Sequence, residues 1–173
     1  MSGEHAADLS LLIFRIALGV VFLAHGYNHI FGGGKIAGTA RWFASLGMRP
    51  GQLHAWTASL TELGAGVLLV LGLLTPLACA GVIGTMVVAW ITNHRRNGFF
   101  IFRPGEGYEY VMTLTFAAVG LAGVGSGRWS VDHGLGWFDP PGWTGFLIAV
   151  IAGFGGGIGL LVTFWRPVRP SVD

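Results

Sequence analysis

Cysteine, lysine and charge of either sign are scarce in this sequence, and each scarcity removes a class of protein. The single cysteine, Cys79, sits in an apolar run, so an internal disulfide, a CxxC redox pair and a cysteine-ligated zinc or iron–sulfur centre are excluded. Only 10% of the 173 residues are charged and 53% are hydrophobic, whereas soluble domains carry about 25% charged residues. So little charge cannot cover the core of so short a chain with polar surface, and the mean hydropathy of +0.65 agrees that lipid must solvate most of the exterior. Strand-type alternation is missing, and no GxGxxG turn follows a strand, which removes the usual nucleotide and flavin folds. The ten basic residues give a pI near 9.1 but are scattered, with no stripe for nucleic acid.

What the chain does have is apolar length. Five stretches approach the roughly 20 residues that cross a bilayer: Leu9 to Ile30, Leu53 to Leu74, Pro76 to Asn93, Tyr108 to Val124 and Trp143 to Trp165. The expected fold is all-α, a multipass transmembrane bundle of four helices within residues 9–124 plus a fifth, C-terminal span at 143–165. Residues 1–8 are expected as an outer tail, 125–142 as an outer loop and 166–173 as a cytoplasmic tail. Glu4 and Asp8 in place of a basic leader argue against a cleavable signal peptide. Thr75 and Pro76 give a tight turn between the second and third spans, since proline is at home in a helix's first turn.

Counting basic residues by side places Lys35, Arg41, Arg49, Arg95, Arg96, Arg103, Arg166 and Arg169 together, and Arg128 opposite. This asymmetry predicts a bacterial inner-membrane protein with its N-terminus outside and its C-terminus in the cytoplasm. Trp56, Trp90 and Trp165 then mark one boundary and Trp129, Trp137 and Trp143 the other. After Gly32-Gly33-Gly34, residues 35–48 put Ile36, Ala40, Phe43 and Leu46 on one face, which predicts a short helix lying in the interface. The outer loop, with Trp129, Asp132, His133, Trp137, Asp139 and Pro140-Pro141, is expected to fold as a cap. In the last span Gly153 and Gly157 form a GxxxG pattern, suited to internal packing or to homo- or hetero-oligomerisation.

Ionisable residues inside the spans stand out, because each costs at least about 2.5 to 3.5 kcal/mol at mid-bilayer. Arg15 and Glu62 lie at about 9 and about 14 Å from the outer surface, which predicts a buried structural ion pair between them. A second group shares a depth nearer the other side: His25 and His29, His54, His94, Glu106 and Glu109. Arg15, Phe22, Gly26 and His29 fall on one helical face, so a polar pocket opening inward is expected. Its residues suit three uses that spacing does not separate: a bis-histidine haem site, a pocket for a carrier such as a quinone, or polar groups merely satisfied at a wet helix boundary. Two histidines and a carboxylate also occur in metal sites, but no diagnostic spacing is present, and no metal is assigned.

The run from Arg15 through His25-Gly26-Tyr27-Asn28-His29 to Gly32, followed by Ala37 to Gly47, resembles the opening of DoxX/DoxD-type membrane proteins. So do Glu62 within Leu60 to Leu68, the Leu71-Gly72-Leu73-Leu74-Thr75-Pro76 turn, Asn97-Gly98-Phe99-Phe100 and Glu109-Tyr110. The resemblance spans about residues 9 to 132. It implies a four-helix bundle and a link to quinone chemistry, since the founding member is the membrane subunit of an archaeal thiosulfate:quinone oxidoreductase, and other relatives are tied to oxidative stress. Where that family often has His-Gly-x-x-Lys, this chain ends the motif in His29, exchanging a permanent cation for a group of the kind that titrates near neutrality.

The expected function is therefore a quinone-associated or redox-partner membrane subunit, with no tightly bound cofactor and a soluble partner supplying electrons. His94 and Glu109 are the catalytic candidates for proton exchange. His25, His29, His94 and Glu109 are the candidate quinone-binding set, and Arg15 with Glu62 fixes the bundle. The alternative is a non-catalytic scaffold that holds a soluble redox or stress enzyme at the membrane.

Overall fold

A computed structural model describes residues 3–137 and 142–167, and Asp139 and the Pro140-Pro141 pair lie outside them. Among the described residues seven α-helices follow in chain order: α1 (Gly3–Phe31), α2 (Lys35–Ser45), α3 (Gly51–Leu71), α4 (Thr75–Ala89), α5 (Glu109–Val124), α6 (Val131–Leu135) and α7 (Trp143–Phe164). A π turn, Trp90–His94, extends α4. Among the described residues there is no strand, and the chain is an all-α membrane protein as its composition requires. Four helices have the length and apolarity to cross a bilayer: α1, α3, α4 with its π turn, and α7. At 16 residues α5 is shorter, about 24 Å long.

The first helix differs from expectation at its start. It begins at Gly3 rather than Leu9, so the predicted tail is its first two turns. Those turns are held down: the Asp8 carboxylate accepts the Arg128 backbone N–H at 2.9 Å, and Glu4 meets the Arg128 guanidinium at 2.8 Å. At 29 residues α1 is about 43 Å long, well beyond a ~30 Å hydrocarbon core. The predicted interfacial helix forms as α2 and turns its predicted face inward, with Phe43 buried and Arg41 and Ser45 exposed. Its Thr39 hydroxyl donates to the free carbonyl of His29 at the end of α1, 2.8 Å away.

Two close helix crossings set the framework. In the first, α1 meets α3 where Gly19 faces Gly66, and a Cβ at Gly66 would stand 2.8 Å from the Gly19 carbonyl and 2.7 Å from Leu23. In the second, α7 lies on α4, where a Cβ at Gly153 would come within 2.7 Å of Ile83 and one at Gly157 within 3.0 Å of the Gly84 carbonyl. The Gly153–Gly157 face is thus taken up by α4 of the same chain, which corrects its expected availability to a second copy or partner. At the far end of α7 the chain returns to the α2–α3 connection. Arg49 donates to the Phe164 carbonyl at 3.3 Å, Arg166 to that of Gly47 at 2.8 Å, and the Trp165 indole to that of Leu46 at 2.9 Å.

The helix bundle therefore has an α2 end and an α6 end. Trp56, Trp90 and Trp165 belong to the first, Trp129, Trp137 and Trp143 to the second.

Arg15 serves the α6 end. Its guanidinium is fully buried and donates to the carbonyls of Leu69, at 3.0 Å, and Trp129, at 2.6 Å. Leu69 is in the last turn of α3, where carbonyls lack helical partners and the helix dipole favours a cation. Asp132, equally buried, accepts from the backbone N–H groups of Leu74 and Thr75, at 2.7 and 2.9 Å, and so caps the start of α4. It also lies close enough to act electrostatically on Arg15.

The predicted Arg15–Glu62 ion pair is therefore not formed. Leu69 is two helical turns, about 10 Å, from Glu62, and the guanidinium is committed at that distance. Unfolding measurements in mixed micelles check this. A double-mutant cycle of Arg15→Met with Asp132→Ala is expected to show coupling of about 0.5–3 kcal/mol, and one of Arg15→Met with Glu62→Gln additivity within about 0.5 kcal/mol.

Candidate functional site

Between the α2 ends of the helices lies a cavity of about 490 Å³. Helix α1 contributes His25 and His29, α3 contributes His54, Thr57, Thr61 and Glu62, and the π turn contributes Thr92, Asn93 and His94. Thr85 of α4, Tyr110 of α5 and Glu106 of the preceding loop add to its polar lining. Three consecutive residues, 92 to 94, border the same space, which the widened π turn allows; such turns recur at functional sites.

Glu62 is the centre of this lining. It is 3% exposed, and its Oε2 lies 3.0 Å from Nδ1 of His29. Gly26, one turn before His29, lets α1 sit this close: a Cβ there would meet the Ser59 carbonyl at 2.9 Å. Two bare lone pairs at 3.0 Å in a buried site repel, so one of the two facing atoms carries a hydrogen. The contact is off hydrogen-bond alignment, and both atoms are otherwise without a partner. The pair thus keeps unused hydrogen-bonding capacity at the cavity wall.

Aromatic rings surround it. His29 stands 6.4 Å from Trp42 and 6.3 Å from Phe43, both of α2. His54, buried, packs at 5.1 Å against Phe164 of α7, and its Nε2 has no hydrogen-bond partner. One turn earlier on α1 the His25 ring stacks on Tyr110 at 6.0 Å, with its Nδ1 on the Val21 carbonyl at 2.9 Å. Tyr110 is within electrostatic reach of Glu62.

Two of the predicted proton-exchange residues have other employment. His94 lines the cavity, but its Nδ1 contacts the Glu106 carbonyl at 2.9 Å and must therefore donate, while Nε2 meets the Asn93 amide at 3.2 Å and accepts. That bonding uses both ring nitrogens and leaves His94 as a brace for the loop before α5. Glu109 is outside the cavity lining: its carboxylate accepts from the Ile101 backbone N–H at 3.2 Å, within the loop from 97 to 108. Shared depth does not imply a shared face, because Glu109 opens a helix whose Tyr110 is the residue turned inward. Of the predicted binding set, His25, His29 and His94 reach the cavity and Glu109 does not. Tyr110 and Asn93 were not singled out from sequence, and nothing in their spacing marks them.

Residues 10–95, from the first turns of α1 to the end of the π turn, match the DoxX family model. They form a DoxX domain. The chain is also 37% identical over 90 residues to a protein of Escherichia coli K12 described as inner membrane protein YphA. That alignment takes in 51% of this chain and 62% of the relative. No solved structure matches. The DoxX segment carries Arg15, His25, His29, Glu62 and His94, whereas Tyr110, Glu109, Asp132 and α7 lie beyond it. The cavity is thus built partly on the family domain and partly on the helices C-terminal to it.

Hydrogen exchange tests the role given to His94. Removing its donor in His94→Ala costs about 1 kcal/mol of local hydrogen bonding, so amides from Gly98 to Glu109 should exchange about fivefold faster while those of α1 and α3 stay unchanged.

Proposed function

We propose that this DoxX protein binds a quinone-type carrier at the His29–Glu62 pair and acts as the membrane subunit of a redox system in a bacterial inner membrane. The observation that carries this reading is the pair itself. A quinone carbonyl needs a hydrogen-bond donor and a protonatable acceptor beside an apolar slot, and a nine-tenths-buried carboxylate with unused bonding capacity, next to an imidazole on a cavity wall, supplies both. Converting a quinone to a quinol takes two electrons and two protons. The electrons come from a soluble redox partner, His29 with Glu62 holds the proton delivered at one carbonyl, and the second proton reaches the other carbonyl from water by way of the exposed His25. His25 and Tyr110, stacked on each other at the cavity lining, offer contacts to the rest of the ring. Proton exchange is thereby assigned to Glu62 and His29 in place of His94 and Glu109.

The location follows the name of the Escherichia coli relative, an inner membrane protein. The basic excess at the α2 end supports a cytoplasmic α2 end, with the N-terminus outside. The same basic end, with Arg41, Arg49, Arg95, Arg96 and Arg103, favours a second reading in which the protein is a scaffold for a soluble redox or stress enzyme.

Extraction of the purified protein separates the two. Wild type is expected to retain menaquinone or ubiquinone, and Glu62→Gln, folded by circular dichroism, to lose it by about ten- to a hundredfold, the worth of a hydrogen bond to a charged group. Protein that never carries quinone yet copurifies stoichiometrically with a soluble enzyme would replace the carrier reading with the scaffold.

A further inference from the structure

The cavity differs in chemistry from one end to the other. Its polar end, between α1, α3 and α5, holds Glu62, His29, His25 and Tyr110. Its other end runs between α3 and α7 across α4 and is bordered by Ala58, Gly84, Val88, Ala152 and Gly156, with Thr57, Thr61 and Thr85 as its polar side chains, the Thr85 hydroxyl donating to the Gly81 carbonyl. Helices α3 and α7 meet at the α2 end, where the His54 ring rests on Phe164, but do not pack along their length. The seam between them is open: Thr57 on one side and Ala152 and Gly156 on the other are exposed. Outside the seam α7 presents Ile151, Ile158 and Val162, exposed by 67%, 50% and 75%, so the medium at that opening is hydrocarbon. At the polar end the rings of His25 and Tyr110, stacked at 6.0 Å, lie between α1 and α5, and His25 is exposed there.

A volume of about 490 Å³ takes a ring and the first part of a chain. A longer tail has to leave, and the seam is where it does so past the Thr57 hydroxyl and otherwise apolar side chains. We infer that the ligand of this site reaches it sideways from the bilayer through the seam between α3 and α7 and stays threaded there, its ring at His29 and Glu62 and its hydrocarbon tail over Gly84 and past Gly156 into lipid. This inference rests on the carrier reading and narrows it to carriers with a linear isoprenoid tail. It also gives α7, which lies beyond the DoxX segment, a role in selecting the ligand.

Gly156 provides the test, because a Cβ there meets nothing within 4 Å and a larger side chain fills the seam without disturbing a packed neighbour. Gly155 has equally free surroundings but does not border the cavity, so Gly155→Phe serves as the control. The probes are a menaquinone with a four-isoprene tail and tail-less menadione, with binding followed by tryptophan quenching, for which Trp42 stands on the cavity wall. Gly156→Phe should melt like wild type, bind the tailed quinone about tenfold more weakly and bind menadione within about twofold of wild type, since a few displaced CH₂ groups account for that loss. Gly155→Phe should change neither. If Gly156→Phe binds the tailed quinone as wild type does, or loses both probes equally, the seam is not the route and the inference is overturned while the carrier reading stands. If wild type binds neither probe, the carrier reading falls and takes the inference with it.

Discussion

An ionisable side chain in hydrocarbon has to be neutralised by something within reach, because no water is there to do it, and this requirement organises both ends of the molecule. The two buried charge centres are solved differently. Arg15 is neutralised by backbone as much as by charge, through the Leu69 carbonyl in the last turn of α3 and the carbonyl of Trp129, with Asp132 close by. Every hydrogen bond there joins parts of the fold to one another. Glu62 has His29 and little else, and the pair borders empty space. Each centre keeps unpartnered buried atoms, Arg15 Nε in one and Glu62 Oε2 with His29 Nδ1 in the other, yet only the second is incomplete beside the cavity, and that difference distinguishes a structural site from a binding site more sharply than burial alone.

Glycine makes the incomplete site possible. Where α1 crosses α3, Gly19, Gly26 and Gly66 bring the backbones close enough for His29 to reach Glu62. Where α7 crosses α4, Gly153 and Gly157 do the same, but the approach is local, and α7 and α3 diverge above the joint at Phe164. Tight crossings on two sides and none on the third leave a slot rather than a filled core. The return of the chain at Trp165 to Leu46 fixes the α2 end of that slot.

The scarcity of charge and the five apolar stretches were enough to give an all-α membrane bundle, the short helix after Gly34 with its inward face, and the turn at Pro76. These are local or compositional properties, set by periodicity of 3.6 and by transfer from water. The partnership of Arg15 was not legible, because depth along a helix is a one-dimensional coordinate. It ranked Glu62 as the nearest opposite charge and could not show that the loop holding Asp132 folds onto the bundle, or that α3 offers its terminal carbonyls at that level. Glu109 failed for a related reason: it shares the depth of the histidines but faces the loop at Ile101.

By itself, then, the sequence determined that this chain lives in lipid, that it spans as helices, and that Arg15, Glu62 and the histidines must be accommodated there at a cost. Only the tertiary structure decided who accommodates whom. Insertion energies depend on each residue and its immediate neighbours, whereas pairing depends on which backbones approach within a few ångströms, and in this protein glycine crossings and a returning loop, distant in sequence from the charges they position, make that choice.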